Sequence, residues 1–165
     1  MAGIAMKIEY YHASEYGNGA KVAEEFKRLM TAKGASVDVH HIQEARPKEL
    51  PSADLYVFSS PGRMGKPIRG MRSFLGKLQL ASGTKYAVIT TEMAPKPDKK
   101  TGKMPTEEEI CRWQRVRPVM NEMLQADGLK KVAEGCVFVT EVRGPLEEGW
   151  QKKVEVFANT ILELA

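Results

Sequence analysis

The strongest constraint on how this 165-residue chain folds is a nearly continuous apolar run at residues 55–59. Such a run is typical of a strand that is buried on both faces, as the strands of parallel sheets are. Segments with strand and helix patterns alternate along the rest of the chain, and no linker or internal repeat separates them. This alternation predicts an α/β domain in which helices cover both faces of an open parallel sheet.

Five strands and the helices between them are predicted from hydrophobic periodicity. The strands are expected at residues 7–12, 36–42, 55–59, 85–90 and 135–139. Helices are expected after the first strand, from Pro67, and from Pro145 towards the end of the chain. Thr106 and Glu109 form a capping box, which predicts the start of another helix. Pro118 is expected to kink or divide that helix.

Composition predicts the class of protein and its compartment. The 25 basic residues are balanced by 21 acidic ones, and no nucleic-acid motif is present, so nucleic acid is not an expected partner. No apolar run is long enough to span a bilayer, and the first residues lack the pattern of a signal peptide. Two cysteines suit a reducing compartment. We therefore expect a cytoplasmic protein with a flexible extension at residues 1–5 and one domain at residues 6–165.

The segment after the first predicted strand has the residues of a phosphate-binding turn. Ser14 supplies a hydroxyl, and Gly17 and Gly19 let the backbone come close to a ligand. A helical pattern begins directly afterwards, so backbone N–H groups are expected to face the turn. Small polar residues also fill many turns between a strand and a helix, so the motif by itself leaves an ordinary connecting turn open.

Histidine and tryptophan side chains are interpreted as structural. His12, His40 and His41 lack carboxylate partners at metal-binding spacing, and two of them lie on the predicted edge strand. They are interpreted as surface histidines or as hydrogen-bonded core histidines. Trp113 and Trp150 fall on predicted helices and are interpreted as core residues rather than as stacking platforms.

Four classes of phosphate- or nucleotide-binding protein are excluded by missing motifs. A receiver domain needs acidic residues at the end of its first strand, where this chain has Ala13 and Ser14. The Gly-x-x-x-x-Gly-Lys-Ser/Thr motif of nucleotide triphosphatases is absent, and no cysteine begins the loop as in cysteine phosphatases. Residues 17–22 lack the third glycine of the motif that nicotinamide-binding domains need.

Two loops of the chain resemble those of the flavodoxin family. Residues 14–19, Ser-Glu-Tyr-Gly-Asn-Gly, look like the phosphate loop of that family. Residues 59–61, Ser-Ser-Pro, followed by Gly65 and Pro67, look like its second flavin loop. The resemblance covers roughly residues 6–164. It implies a three-layer sandwich with a five-stranded parallel sheet in the order 2-1-3-4-5, and FMN bound where strands one and three diverge.

The resemblance also implies which residues contact FMN. The phosphate would be held by Ser14, Tyr16, Gly17, Asn18 and Gly19, and Glu15 belongs to the same cofactor-binding loop. One side of the flavin ring would be flanked by Ser59, Ser60, Pro61, Gly62, Arg63 and Met64, and Gly65 belongs to the same cofactor-binding loop. The other side would be flanked by Thr90, Thr91, Glu92 and Met93. The flavin would carry out the redox chemistry, so no catalytic side chain and no metal are expected.

Three features depart from the family pattern. Gly19 stands where the family usually has a hydroxyl residue, and Met64 and Met93 stand in loops that usually stack aromatic rings on the flavin. The formal net charge is +4, whereas electron-carrying members are usually acidic. These departures predict weaker flavin binding than in the best-matched members. The lysines of residues 96–103 are expected either to stabilise a reduced, anionic flavin or to form a solvated loop.

Two functions follow from the resemblance. The first is an FMN protein in electron transfer, or a small flavin oxidoreductase similar to the quinone reductases or protoporphyrinogen oxidases of this fold; the sequence leaves open whether it is an enzyme. Its partner would be a redox protein or a small-molecule electron donor or acceptor, and a homodimer is compatible with the sequence. The alternative is a flavin-free domain of the same fold that serves as a binding or regulatory module.

Overall fold

The computed structural model describes residues 5–165. Residues 1–4, most of the predicted flexible extension, lie outside the described residues. The strands are β1 (Lys7–His12), β2 (Ser36–His41), β3 (Leu55–Arg63), β4 (Lys66–Pro67), β5 (Lys85–Met93) and β6 (Lys130–Val139). The helices are α1 (Asn18–Ala32), α2 (Arg69–Gly76), α3 (Glu107–Trp113), α4 (Val116–Ala126) and α5 (Trp150–Leu164).

One sheet organises these elements. Its strand order is β2-β1-β3-β5-β6, and the neighbours in this order are parallel. Since β5 and β6 are the fourth and fifth strands predicted from sequence, the expected order 2-1-3-4-5 is confirmed. The short strand β4 is an addition, because it pairs antiparallel with the end of β3 and forms a hairpin. That hairpin was not predicted.

Helices cover both faces of the sheet, as the apolar patterns predict. Side chains alternate along each strand, so Tyr10 packs in one core while Tyr11 packs in the other. The first core is filled by α1 and α5, with Phe26 and Phe157 at a centroid distance of 5.6 Å. The second core is filled by α2 and α4. None of the helices within residues 5–165 has the length and apolar character needed to cross a bilayer.

The predicted helix starts at the prolines need correction. Pro67 lies on β4 opposite Gly62, and α2 begins two residues later at Arg69. Pro145 lies before α5, because the segment from Pro145 first runs alongside β6, where Thr140 N–H donates to the Pro145 carbonyl. The helix itself starts at Trp150. In both places the segment at the proline is hydrogen-bonded to a neighbouring strand, so the helix begins a few residues after the proline.

The predicted capping box is confirmed, and the helix after it is divided. The Thr106 hydroxyl accepts from Glu109 N–H while the Glu109 carboxylate accepts from Thr106 N–H. The break falls at Gln114 and Arg115, and Pro118 sits in the first turn of α4, where a missing N–H costs nothing. Pro118 therefore lies in the first turn of α4, after the break that separates α3 from α4.

Several strands are longer than the apolar runs that predicted them. β3 continues to Arg63 and β5 to Met93, because Pro61 and Thr91 remain paired across the two strands. The loops predicted to follow these strands therefore begin as strand. The carboxyl ends of β1 and β3 lie at the point where the strand order reverses, and a crevice forms there in open α/β sheets.

Candidate functional site

The loop after β1 leaves the start of α1 open to the crevice. Gly17 is the N-terminal cap residue of α1 and has φ +93°, a left-handed conformation that glycine adopts without strain. It has no side chain to cap the helix, and the first turn carries no acidic residue. The N–H groups of Asn18, Gly19 and Ala20 therefore lack intrahelical acceptors at the positive end of the helix. An anion is the ligand that such an arrangement favours.

Two histidines hold Ser14 in place within this loop. Ser14 N–H donates to His12 Nδ1 at 3.2 Å, and the Ser14 carbonyl lies 3.0 Å from His41 Nε2. His41 Nδ1 accepts from Gln43 N–H at 3.1 Å, so Nε2 carries the proton that His41 donates to Ser14. The Ser14 hydroxyl accepts from Gly17 N–H at 3.0 Å. Backbone and side chain of Ser14 are thus fixed on three sides.

His12 makes the stability of this arrangement depend on pH. Burial, with a smaller contribution from His41, lowers the pKa of His12 to about 4. An unfolded histidine has a pKa of about 6.5, so the unfolded chain binds more protons between these values and the free energy of unfolding falls as the pH drops from about 6.5 to 4. His12→Asn keeps an acceptor but does not titrate, and we expect a flatter profile in urea unfolding across this range. Equal slopes in both proteins would contradict this role.

The crevice is a cleft bounded by the ends of four neighbouring segments. Its walls are the loop after β1, the end of β3, the end of β5 and the segment after β6. Its volume is about 100 Å³. The lining residues are Ser14, Glu15, Tyr16, Asn18, Gly19, Pro61, Gly62, Arg63, Met64, Thr91, Met93, Val139 and Val142. The two predicted loops therefore meet at one cleft, as their place after parallel strands requires.

Positive charge concentrates at Tyr16 on the edge of the cleft. The guanidinium carbon of Arg63 lies 5.7 Å from the Tyr16 ring centroid, and that of Arg143 lies 5.3 Å from it. Arg63 also forms an ion pair with Glu15 at 3.1 Å. Cation–π contacts of this kind hold the ring and both arginines together. The Tyr16 ring thus lines the cleft while two arginines restrict its orientation.

The β3–β4 hairpin carries the second predicted loop and is fixed from outside the sheet. Met64 and Gly65 form its tip with φ values of +52° and +76°. Arg115 N–H donates to the Gly65 carbonyl at 2.6 Å, and a Cβ on Gly65 would lie 2.0 Å from the Trp113 carbonyl oxygen. The junction of α3 and α4 thus holds the hairpin through backbone contacts at Gly65. The Met64 side chain at the tip is 81% exposed.

Not every predicted site residue faces the cleft. Thr90 and Glu92 point to the opposite face of the sheet, where the Thr90 hydroxyl donates to the Glu92 carboxylate. Ser59 is buried. The Ser60 hydroxyl donates to the Pro61 carbonyl and accepts from Ile68 N–H, which ties β3 to the start of α2. Gly17 and Gly65 shape the turns without lining the cleft, so their predicted contact with a cofactor stays a prediction.

Glu92 forms a buried ion pair on that opposite face. Its carboxylate is 1% exposed and lies 2.9 Å from Arg117 Nε. Arg117 Nη1 also lies 3.3 Å from Glu134. Burial lowers the pKa of Arg117, but the negative charges of Glu92 and Glu134 outweigh it and the pKa is raised. This pair joins β5 to α4 behind the wall of the cleft.

Several residues of the site were not predicted from the sequence. His12 and His41 hold the first loop, Val139 and Val142 line the cleft, and Arg143 contacts Tyr16. A usable signal existed, because the carboxyl ends of parallel strands meet at one edge, where β2 and β6 also end. The interpretation of Trp113 as a core residue is wrong: it is 62% exposed at the end of α3, a helix without a buried residue.

Comparison with solved structures identifies the fold. Oxidised flavodoxin 2 from Bacillus cereus matches with a TM-score of 0.71 and 19% identity over 95% of this chain and 98% of that chain. Oxidised flavodoxin 1 from the same organism matches with a TM-score of 0.69 and 17% identity over 96% and 99%. The rubredoxin oxygen:oxidoreductase of Desulfovibrio gigas matches with 13% identity and a TM-score of 0.65 over 95% of this chain and 35% of that one.

Sequence comparison adds no closer relative. No protein-family model matches the chain, and no curated protein matches it. The likeness to flavodoxins therefore lies in the arrangement of the backbone, which extends over nearly the whole chain. On this ground, together with the strand order and the two-sided helix layers described above, the chain has the flavodoxin fold.

Proposed function

We propose that the protein binds FMN in the cleft and works in electron transfer, as a carrier or as a small flavin oxidoreductase. The observation that carries this proposal is the N-terminus of α1, whose first backbone N–H groups have no capping side chain and lie next to the Ser14 loop. Three backbone N–H groups and the left-handed Gly17 form a cradle for a phosphate at the edge of the crevice. The Ser14 hydroxyl lies within the same loop, and while its oxygen accepts from Gly17 N–H its own proton can be donated to the phosphate.

The remaining walls suit a planar, partly apolar ring. Pro61, Gly62 and Met64 form one wall, and Thr91 and Met93 form the other. The lining valines add apolar surface, and the thioethers can pack against a ring face. FMN, when bound, supplies the electron transfer itself. The protein's part is to hold the phosphate, exclude water from the ring and set the electrostatic surroundings.

The arginines beside Tyr16 give those surroundings a positive character. Arg63 lines the cleft, and Arg143 contacts the ring of Tyr16, another lining residue. Arg63 is only partly neutralised by Glu15, since their ion pair is exposed to solvent. Positive groups stabilise an anion more than a neutral molecule at the same place. We therefore propose that this site favours the anionic, reduced form of its cofactor. A redox protein or a small molecule would exchange electrons with it.

A flavin-free binding module is the second candidate. The cleft has a volume of about 100 Å³, whereas small-molecule sites commonly have about 300–1,000 Å³. The Tyr16 ring is also held by two arginines. Both observations favour a protein that has kept the fold and lost the cofactor. FMN binding would require the loop after β1 and the β3–β4 hairpin to move apart and enlarge the cleft.

Matched glycine variants at the two ends of α1 separate these candidates. Gly17 and Gly34 have φ values of +93° and +92°, and a Cβ at either position meets no atom within 4 Å. Alanine therefore introduces the same backbone strain at both, about 1–2 kcal/mol. Only Gly17 orients the N–H groups at the cleft. We expect Gly17→Ala to weaken FMN binding at least tenfold and Gly34→Ala to leave it unchanged.

Visible absorbance and flavin fluorescence during FMN titration measure this difference. Unfolding curves of both variants check that their losses of stability match. A wild-type protein that stays colourless and takes up no FMN would support the flavin-free module. Equal weakening by the two variants would mean that the Ser14–Gly17 loop does not hold the phosphate.

A further inference from the structure

A second, larger depression lies beside the cleft, on the outer side of the β3–β4 hairpin. We call it the hairpin groove. Its walls are the hairpin, the first turn of α2 and the side chain of Trp113 at the end of α3. Its volume is about 590 Å³, within the range of about 300–1,000 Å³ that small-molecule sites occupy. Glu15, Arg63 and Met64 line both the groove and the cleft, so the two are contiguous.

The hairpin groove is strongly basic. Arg63, Lys66, Arg69 and Arg72 line it, and Glu15 is its one acidic lining residue. Glu15 is already paired with Arg63. In the part of the chain that the structure describes, no carboxylate lies within 4.0 Å of the charged nitrogens of the other three. Three cations facing one groove without acidic partners repel one another, and an anion relieves that repulsion.

An aromatic surface stands next to these charges. Trp113 is 62% exposed, although burial of a large aromatic side chain would stabilise the folded protein. Its position is fixed through the backbone, because its carbonyl approaches Gly65 closely and Arg115 N–H bonds the Gly65 carbonyl. Arg72 is oriented as well, since its Nε donates to the Pro67 carbonyl at 3.2 Å, and within residues 5–165 its two terminal nitrogens have no hydrogen-bond partner. The groove is therefore formed before any ligand arrives.

We propose that the hairpin groove binds a flat aromatic molecule that carries carboxylate or phosphate groups. The ring stacks against Trp113, and the acidic groups bond to Arg69 and Arg72, whose planar guanidinium groups match both kinds of oxygen pair. The proposal rests on the proposed function in one respect. Because the groove adjoins the cleft, the molecule bound in the groove is the small-molecule electron donor or acceptor that exchanges electrons with the cofactor in the cleft.

The two tryptophans of the chain provide a direct test. Proton–nitrogen correlation spectra show one indole N–H signal for each, and Trp113→Phe identifies that of Trp113. The full chain is titrated with naphthalene-2,6-dicarboxylate, with adenosine monophosphate and with the neutral naphthalene-2-carboxamide. We expect a saturable shift of the Trp113 signal with the acidic probes, while the Trp150 signal stays in place. The acid that binds more tightly distinguishes a carboxylate ligand from a phosphate ligand.

Charge-matched variants complete the test. Arg69→Gln together with Arg72→Gln is expected to raise the dissociation constant at least tenfold, since two charge-assisted hydrogen bonds are lost. Lys99→Gln together with Lys100→Gln removes the same charge from the exposed segment after β5 and is expected to change nothing. An unmoved Trp113 signal, equal binding of the neutral probe, or equal binding to both double variants would overturn the proposal.

The titrations are made before and after FMN is added, so the groove and the cleft are tested separately. A protein that loads FMN but shows no shift of the Trp113 signal overturns the groove alone. A protein that takes up no FMN but shows the shift retains the groove and loses the proposed flavin function.

Discussion

Replacing Gly65 by alanine is expected to lower the free energy of unfolding by about 2–3 kcal/mol, because two costs add at this position. Gly65 has φ +76°, a conformation that costs an L-residue about 1–2 kcal/mol. The new Cβ would lie 2.0 Å from the Trp113 carbonyl oxygen, so the hairpin and the junction of α3 and α4 must separate. That separation breaks the hydrogen bond from Arg115 N–H to the Gly65 carbonyl, which contributes about 1 kcal/mol.

Gly102 provides the matched control for this change. It has φ +69°, and a Cβ there meets no atom within 4 Å, so Gly102→Ala carries the strain without the clash. We expect it to cost about 1 kcal/mol, at the low end for a left-handed alanine, because it lies in a turn with room to adjust. Urea unfolding of the two variants measures the difference. Equal losses would mean that the contact between the hairpin and Trp113 contributes nothing to stability.

The core of the sheet was predictable because its strands carry their own signal. Residues 55–58 and 86–89 are apolar at consecutive positions, the pattern of a strand that is covered on both faces, and both segments form strands in the interior of the sheet. The ends of these strands carried no such signal. Pro61 and Thr91 continue their ladder through pairing with each other, and this depends on a neighbour that local sequence does not reveal.

The first loop of the site was predictable, but the groups that support it were not. Ser14 and Gly17 belong to a contiguous motif between a strand and a helix, so their sequence alone marks the turn. His41 is remote from them along the chain and reaches Ser14 only because β1 and β2 pair in a register that sets His12 beside His41. Such a contact follows from strand order together with register; the order was predicted, but the register that sets His12 beside His41 was not.

Trp113 shows how a helical pattern misleads when a helix packs only at its end. The capping box at Thr106 begins a regular α3, and the spacing of Ile110 and Trp113 is that of an amphipathic face. Yet no α3 residue is buried, because the helix lies outside the sheet and approaches the hairpin only near its end, at Gly65. The tryptophan therefore lines the hairpin groove, where its exposed ring is available to stack against a ligand.

Replacing Arg117 by methionine is expected to lower the free energy of unfolding by about 3 kcal/mol, the low end for breaking a buried ion pair. Glu92 is 1% exposed and relies on Arg117 as its charge partner, and the Thr90 hydroxyl that also bonds it carries no charge to balance the carboxylate. Arg117 itself is 30% exposed, so water can replace part of the lost contact. Because Glu92 lies between Thr91 and Met93, β5 is expected to distort where it borders the cleft.

Two further variants separate the buried charge from the loss of an arginine in general. Arg115 pairs with Glu122 at 3.0 Å, but their side chains are 46% and 69% exposed, so Arg115→Met is expected to cost less than about 1 kcal/mol. The double change Glu92→Gln and Arg117→Met removes the charge as well as its partner, and it is expected to recover much of the lost stability. Chemical unfolding of the three proteins measures these differences. If Arg117→Met costs no more than Arg115→Met, the charge of Glu92 does not depend on Arg117, and the pair cannot be what holds the end of β5 against α4.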